Sequence, residues 1–152
     1  MNDEKKSEKK YKPHMFKGNL TWLKDRKWEL DGENGPLIPG GPPPIFNGEE
    51  GRWTPEELLL QSVNTCQLST FTSIAQWKKF NLLAYESEVE GHLEHDGTNY
   101  KFVKIIIRPK ITVASEEDVK VAEEITEKAH KNCWMGYSVK AEIIVEPEII
   151  VG

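Results

Sequence analysis

The motif Thr54-Pro55-Glu56-Glu57 commits the chain to a long helix that begins there. Threonine caps free backbone N–H groups, and proline suits a first turn whose N–H has no helical acceptor. A glutamate three residues after the cap completes a capping box. Leu59, Val63, Cys66, Thr70 and Ile74 then recur at three-to-four spacing, and Leu60, Leu68, Phe71 and Ala75 widen the stripe, so the helix is expected to reach about Lys79. Small polar residues between them (Ser62, Asn64, Thr65, Ser69, Thr72, Ser73) allow a neighbouring helix to come close. The reading is a central, largely buried helix with a cysteine near its middle.

The rest of the chain must be arranged around that helix. Between Met15 and Asp31, the pairs Leu20/Trp22 and Trp28/Leu30 give two short strands flanking a turn at Lys24-Asp25-Arg26-Lys27. Residues 32–53 are rich in Gly and Pro, and Pro42-Pro43-Pro44 prohibits a helix and predicts an extended surface loop. Residues 82–95 alternate, with Leu83, Tyr85, Ser87, Val89, Gly91 and Leu93 facing inward and Glu86, Glu88, Glu90, His92 and Glu94 outward. Asp96-Gly97 signals a hairpin returning through Tyr100 to Val113, with Pro109 predicting a bend, bulge or edge position. A second helix opens at Ser115-Glu116-Glu117-Asp118, with Val121, Ala122, Ile125 and Ala129 on its apolar face and Cys133 one turn further on the same side. One or two strands interrupted at Pro147 close the chain. Strands, helix, strands, helix, strand predict an α+β domain with an antiparallel sheet.

Bulk properties narrow the class. The chain of 152 residues suits one domain with a tail: residues 1–12 as a disordered charged tail and residues 13–152 as the folded domain. A formal charge of −5 argues against a nucleic-acid partner, which requires a basic face. No apolar run approaches the ~20 residues that span a bilayer, and the first residues lack the apolar stretch of a secretory signal, so a cytoplasmic location is expected. The only two cysteines, Cys66 and Cys133, are far apart and form no CxxC pair. In a reducing compartment they are either inert core residues or a redox pair. His92 and His95 stand three apart on a strand and face opposite sides, so no metal is expected. No glycine-rich phosphate loop opens a helix, and no cofactor is implied.

Three segments resemble the OsmC/Ohr family. These are Thr54 to Leu60 with Cys66 in the same helix, Ile107-Arg108-Pro109-Lys110 leading into Val113 to Asp118, and Ala129-His130-Lys131-Asn132-Cys133 continuing to Ser138-Val139-Lys140. The resemblance implies an OsmC-like fold, in which curved antiparallel sheets surround central helices in an intertwined homodimer with active sites where the chains meet. It also implies a thiol-dependent peroxidase that reduces organic and inorganic hydroperoxides. In such an enzyme Cys66 attacks, Cys133 resolves, and a dithiol such as a dihydrolipoyl protein restores the thiols.

That chemistry sets requirements. The thiolate is the nucleophile, and an ordinary thiol with a pKa of about 8.5 is mostly protonated at neutral pH. Cys66 is too far from the start of its own helix for those N–H groups to help, and burial raises a thiol pKa, so a nearby cation is expected. Arg26, in the first turn, matches the family's activating arginine, with Arg52 as the substitute and Arg108 as a structural residue. Glu56 matches the family acid that orients this arginine. About ten residues separate Glu56 from Cys66, roughly 15 Å along one helix, so a shared site would draw Glu56 from a second subunit. Cys133, the only other thiol, would capture the sulfenic acid formed on Cys66. A different class also fits: an OsmC-like protein that binds a small apolar ligand without efficient peroxidase activity.

Overall fold

The computed structural model describes residues 11–152, so nearly all of the tail expected over residues 1–12 lies outside the described residues. The chain divides into two units, one ending at Thr54 and the other running from Pro55 to Gly152.

The first unit is built on a three-stranded antiparallel sheet, β1 (Gly18–Lys24), β2 (Lys27–Gly32) and β3 (Ile38–Gly40), in that order. The expected turn falls at Asp25 and Arg26, with Asp25 in the left-handed region at φ 53°. The Gly/Pro segment is more ordered than its composition suggests. It supplies β3, and Pro44 opens a 3-10 turn over Pro44–Phe46, so the proline run stops an α-helix but does not stay extended throughout. Gly40 is obligatory by contact, because a Cβ there would lie 1.9 Å from the Trp28 ring.

The second unit contains α1 (Pro55–Trp77), β4 (Leu82–His95), β5 (Tyr100–Val113), α2 (Glu116–Lys131), α3 (Trp134–Ser138), β6 (Glu142–Val145) and β7 (Glu148–Val151). β4 and β5 form a long antiparallel hairpin, with Asp96 and Gly97 in its turn and Gly97 at φ 97°. At the start of β4 the register shifts between Leu82 and Ala84. Leu82 therefore joins the core, while Leu83, expected inside, is 48% exposed. β6 and β7 run parallel to β5, so the antiparallel expectation holds for the first sheet and the hairpin but not for the chain end. The reason is the connection: the return from β5 passes through α2, and parallel neighbours need such a crossover of a dozen or more residues.

Pro109 also departs from expectation. It is buried inside a continuous strand that has neighbours on both sides. β6 pairs with β5 up to Ile107 and β7 begins pairing at Lys110, so the missing N–H of Pro109 falls in the gap that Pro147 opens between β6 and β7. Two prolines that would each break a ladder share one interruption.

Helices α1 and α2 pack together, α1 lies against β4, and α2 lies against β5 and β7. One core cluster joins Phe71, Ile111, Val113, Ala122, Ile125 and Ala129; another joins Val63, Ile105, Ile107 and Ala141. The buried line of α1 is Val63, Asn64, Gln67, Phe71 and Ala75, offset from the expected Leu59, Val63, Cys66, Thr70, Ile74 line. Gln67 donates to the Thr126 carbonyl at 3.3 Å, although its Oε1 has no partner among the described residues, and Ser87 donates to Asn64 at 2.6 Å. Gly91 of β4 leaves room for Leu60 of α1, whose Cδ2 would sit 2.5 Å from a Cβ at that position.

Candidate active site

The offset of the buried line decides the environment of Cys66. Its side chain lies at the edge of the packed face of α1 and is half-buried, next to the turn that follows α2. Cys133 is 2% exposed and stands just beyond the end of α2, where it caps α3. The Gly136 N–H donates to Cys133 Sγ over 3.4 Å. The short helix α3 has no counterpart in the sequence reading, because its five residues, WMGYS, are too few to show a period.

The turn at α3 brings the two thiols under each other's influence. Burial raises the pKa of Cys66. The hydrogen-bonding pull of the Met135 N–H, the Cys133 thiol, the Thr70 hydroxyl and the Trp134 N–H outweighs it, and the Cys66 pKa lies below that of an ordinary thiol. Cys133 is displaced the other way. Burial raises it, the Gly136 N–H lowers it in part, and the neighbouring Cys66 raises it further. The nearby cation expected from the sequence is not among these groups. Backbone N–H groups from a different helix supply acidity that α1's own N-terminus is too distant to give.

Each cysteine borders a different cavity. Cys66 lines one of about 360 Å³ with Ser69, Thr70, Ser73, Asn132 and Trp134. Cys133 lines another of about 290 Å³ with His130, Lys131, Gly136, Tyr137 and Ile143. His130 is a wall of this second cavity.

The remaining expected site residues divide between the units. Glu56 lies in the first turn of α1, on the same helix as Cys66, and its Oε2 is shielded from solvent without a hydrogen-bond partner among the described residues. In the first unit, the Arg26 guanidinium donates to the Phe46 carbonyl at 2.6 Å and forms no ion pair among the described residues. Arg52 is held by Glu49 at 3.0 Å, and Lys27 engages the same carboxylate at 3.0 Å. These bonds hold the Glu49 carboxyl below the usual range, the Arg52 hydrogen bond first. Arg108 is committed to Glu90 at 2.8 Å and Glu146 at 3.1 Å on the outer face of the hairpin. Of the imidazoles on β4, His92 contacts Glu90, whereas His95 stacks edge-on against Tyr100. Among the described residues no group of His, Cys, Asp and Glu side chains is arranged to hold a metal ion, and no helix is long and apolar enough to cross a membrane.

Comparison with known proteins places this arrangement in a wider set. A family model described as "OsmC-like protein" matches residues 48–148. An uncharacterized protein of Bacillus subtilis, YmaD, is 25% identical over 142 residues, covering 91% of this chain and 95% of that protein. Among solved structures, an OsmC-like protein of unknown function from Vibrio cholerae superposes with a TM-score of 0.80 at 20% identity, covering 90% of this chain and 100% of the other. An organic hydroperoxide resistance protein from Legionella pneumophila superposes with a TM-score of 0.67 at 19% identity, covering 92% and 99% of the two chains.

Proposed function

Because the chain belongs to the OsmC-like protein family, we propose that it is a thiol-dependent peroxidase acting on hydroperoxides, organic ones foremost, with Cys66 as the attacking and Cys133 as the resolving residue. The observation that carries this reading is the opposed acidity of two neighbouring thiols, the more acidic of which borders a cavity. The Cys66 thiolate attacks one peroxide oxygen, the O–O bond breaks, and the alcohol leaves after taking up a proton. Cys66 is then a sulfenic acid. Cys133 attacks its sulfur, water departs, and a Cys66–Cys133 disulfide remains until a dithiol reduces it. The higher pKa of Cys133 suits a sulfur that stays protonated until this second step.

Glu56 and Arg26 belong to the proposal through the family resemblance. The shielded, unpartnered oxygen of Glu56 supports a role in orienting a cation, and Arg26, which forms no ion pair among the described residues, keeps its guanidinium charge available. Since Glu56 and Cys66 share one straight helix, a site using both calls for a homodimer. The full exposure of β1, with Leu20 64% and Trp22 68% exposed, supports a covering partner.

The test is a stopped-flow assay with cumene hydroperoxide and dithiothreitol. The wild type is expected to turn over, Cys66→Ser to be inactive, and Cys133→Ser to lose rapid turnover and, without dithiothreitol, to consume one equivalent and stop as sulfenic acid. Two free thiols in the wild type after stoichiometric peroxide would remove the peroxidase reading and leave a ligand-binding member of the family.

A further inference from the structure

The two cysteines open onto different cavities, and Cys66 does not line the one bordered by Cys133. A thiolate that reduces a disulfide attacks one sulfur and expels the other, so it must approach the attacked sulfur from the side away from the leaving one. Which sulfur is attacked depends on access and on the leaving group. We propose that the small dithiol that reduces the oxidised protein enters the cavity beside His130 and Gly136 and attacks Cys133, while the hydroperoxide uses the separate cavity at Cys66. This inference rests on the peroxidase reading and adds a second, reductant-specific site to it.

Three features of the cavity support the assignment. First, Gly136 leaves the approach uncrowded: a Cβ there would add a van der Waals contact 3.7 Å from Cys133 Sγ, within the cavity that Cys133 borders. Second, the lining carries His130 and Lys131 and no carboxylate, a setting that favours an arriving thiolate even though the Lys131 ammonium also pairs with Glu127 at 2.6 Å. Third, attack at Cys133 expels Cys66, the more acidic of the two thiols and so the better leaving sulfur. Cys133 itself is 2% exposed, which confines attack to a slender thiol reaching in through the cavity.

The step balances as follows. One reductant sulfur bonds to Cys133 Sγ as the Cys66–Cys133 bond breaks, and the electron pair departs on Cys66. The second reductant thiol loses its proton and attacks the first reductant sulfur. The reductant leaves as a cyclic disulfide, and Cys133 leaves as a thiolate that takes up a proton. The protein gains two electrons and the dithiol loses two.

The experiment forms the disulfide with diamide, so that its outcome is independent of any peroxide chemistry. The oxidised wild type is mixed with 2-mercaptoethanol, acid-quenched within milliseconds, and mapped by mass spectrometry for the trapped adduct. In parallel, reduction by dithiothreitol is timed in Gly136→Ala, a change that helical backbone tolerates. The expected result is an adduct on Cys133 with Cys66 free, and reduction of the variant slowed about tenfold because access to the attacked sulfur is narrowed. An adduct on Cys66, reduction of Gly136→Ala at the wild-type rate, or failure of diamide to join the two cysteines would each overturn the inference. Loss of peroxide turnover with an intact Cys133 adduct would instead count against the peroxidase reading alone.

Discussion

Cys133 draws the pKa of Cys66 down, and Cys66 pushes that of Cys133 up. A protonated thiol can donate to a neighbouring thiolate, and a thiolate beside it resists a second ionisation, so the pair separates into a more acidic and a less acidic member. Thiolate forms above the pKa, so alkylation of Cys66 is expected to rise at a pH below the ordinary thiol value of about 8.5, and that of Cys133 above it. Iodoacetamide labelling across pH 5–10 with peptide mapping reads both profiles. Removing the Cys133 donor as Cys133→Ala is expected to move the Cys66 profile toward higher pH. Equal profiles for the two thiols would mean that the neighbouring N–H groups do not act as described.

The three arginines differ in what they already hold. Among the described residues Arg52 and Arg108 are bound to glutamates, and Arg26 to a carbonyl only. If Arg26 is the activating cation, Arg26→Ala should slow the reaction of Cys66 with cumene hydroperoxide by about a hundredfold, the scale of a lost charge-stabilising donor. Arg108→Ala should react at close to the wild-type rate. A large loss in Arg52→Ala with none in Arg26→Ala would transfer the role to Arg52.

Gly91 and Leu60 test how α1 is seated on the hairpin. A Cβ at Gly91 would meet Leu60 Cδ2 at 2.5 Å and the Phe102 ring at 2.7 Å, and both side chains belong to a packed cluster. Gly91→Ala is expected to destabilise the fold by about 1–3 kcal/mol through overpacking. Urea unfolding monitored by circular dichroism measures the loss, and an unchanged midpoint would show that the leucine moves aside freely.

Tyr85 packs against Phe71 with ring centroids 5.5 Å apart, and its buried hydroxyl has no hydrogen-bond partner among the described residues. Burial pushes its pKa up to about 12. The unfolded chain ionises this phenol near 10, so the native state loses stability as pH rises from about 10 through 12. Tyr85→Phe keeps the ring packing and removes the unbonded hydroxyl. It should be neutral or stabilising by up to about 1 kcal/mol at pH 7, and it should weaken the alkaline decline. Thermal melts at pH 7 and pH 10.5 give both readings.

Local chemistry in the chain determined much of this molecule. Helix α1 starts where the capping motif places it, β4 covers the alternating run, Asp96-Gly97 turns the hairpin, and Pro147 divides the last two strands. Each of these signals lies within a few residues of the structure it specifies. The capping residues also made α1 the carrier of Cys66, and the resemblance carried by that helix led to the right family. What the sequence could not determine depended on partners distant along the chain. Asn64 reads as a polar spacer until the Ser87 hydroxyl bonds it, Gln67 finds the Thr126 carbonyl, and that shift of the buried face places Cys66 at the margin of the core. The parallel pairing of β6 and β7 required the crossover through α2, and the seat of Pro109 required the gap beside Pro147. The acidity of Cys66 came from N–H groups more than sixty residues away in sequence, on a five-residue helix with no periodic signature. Backbone preferences are encoded by neighbours along the chain. The charge state of a sulfur is set by whatever the fold brings beside it, and here only the tertiary structure decided that.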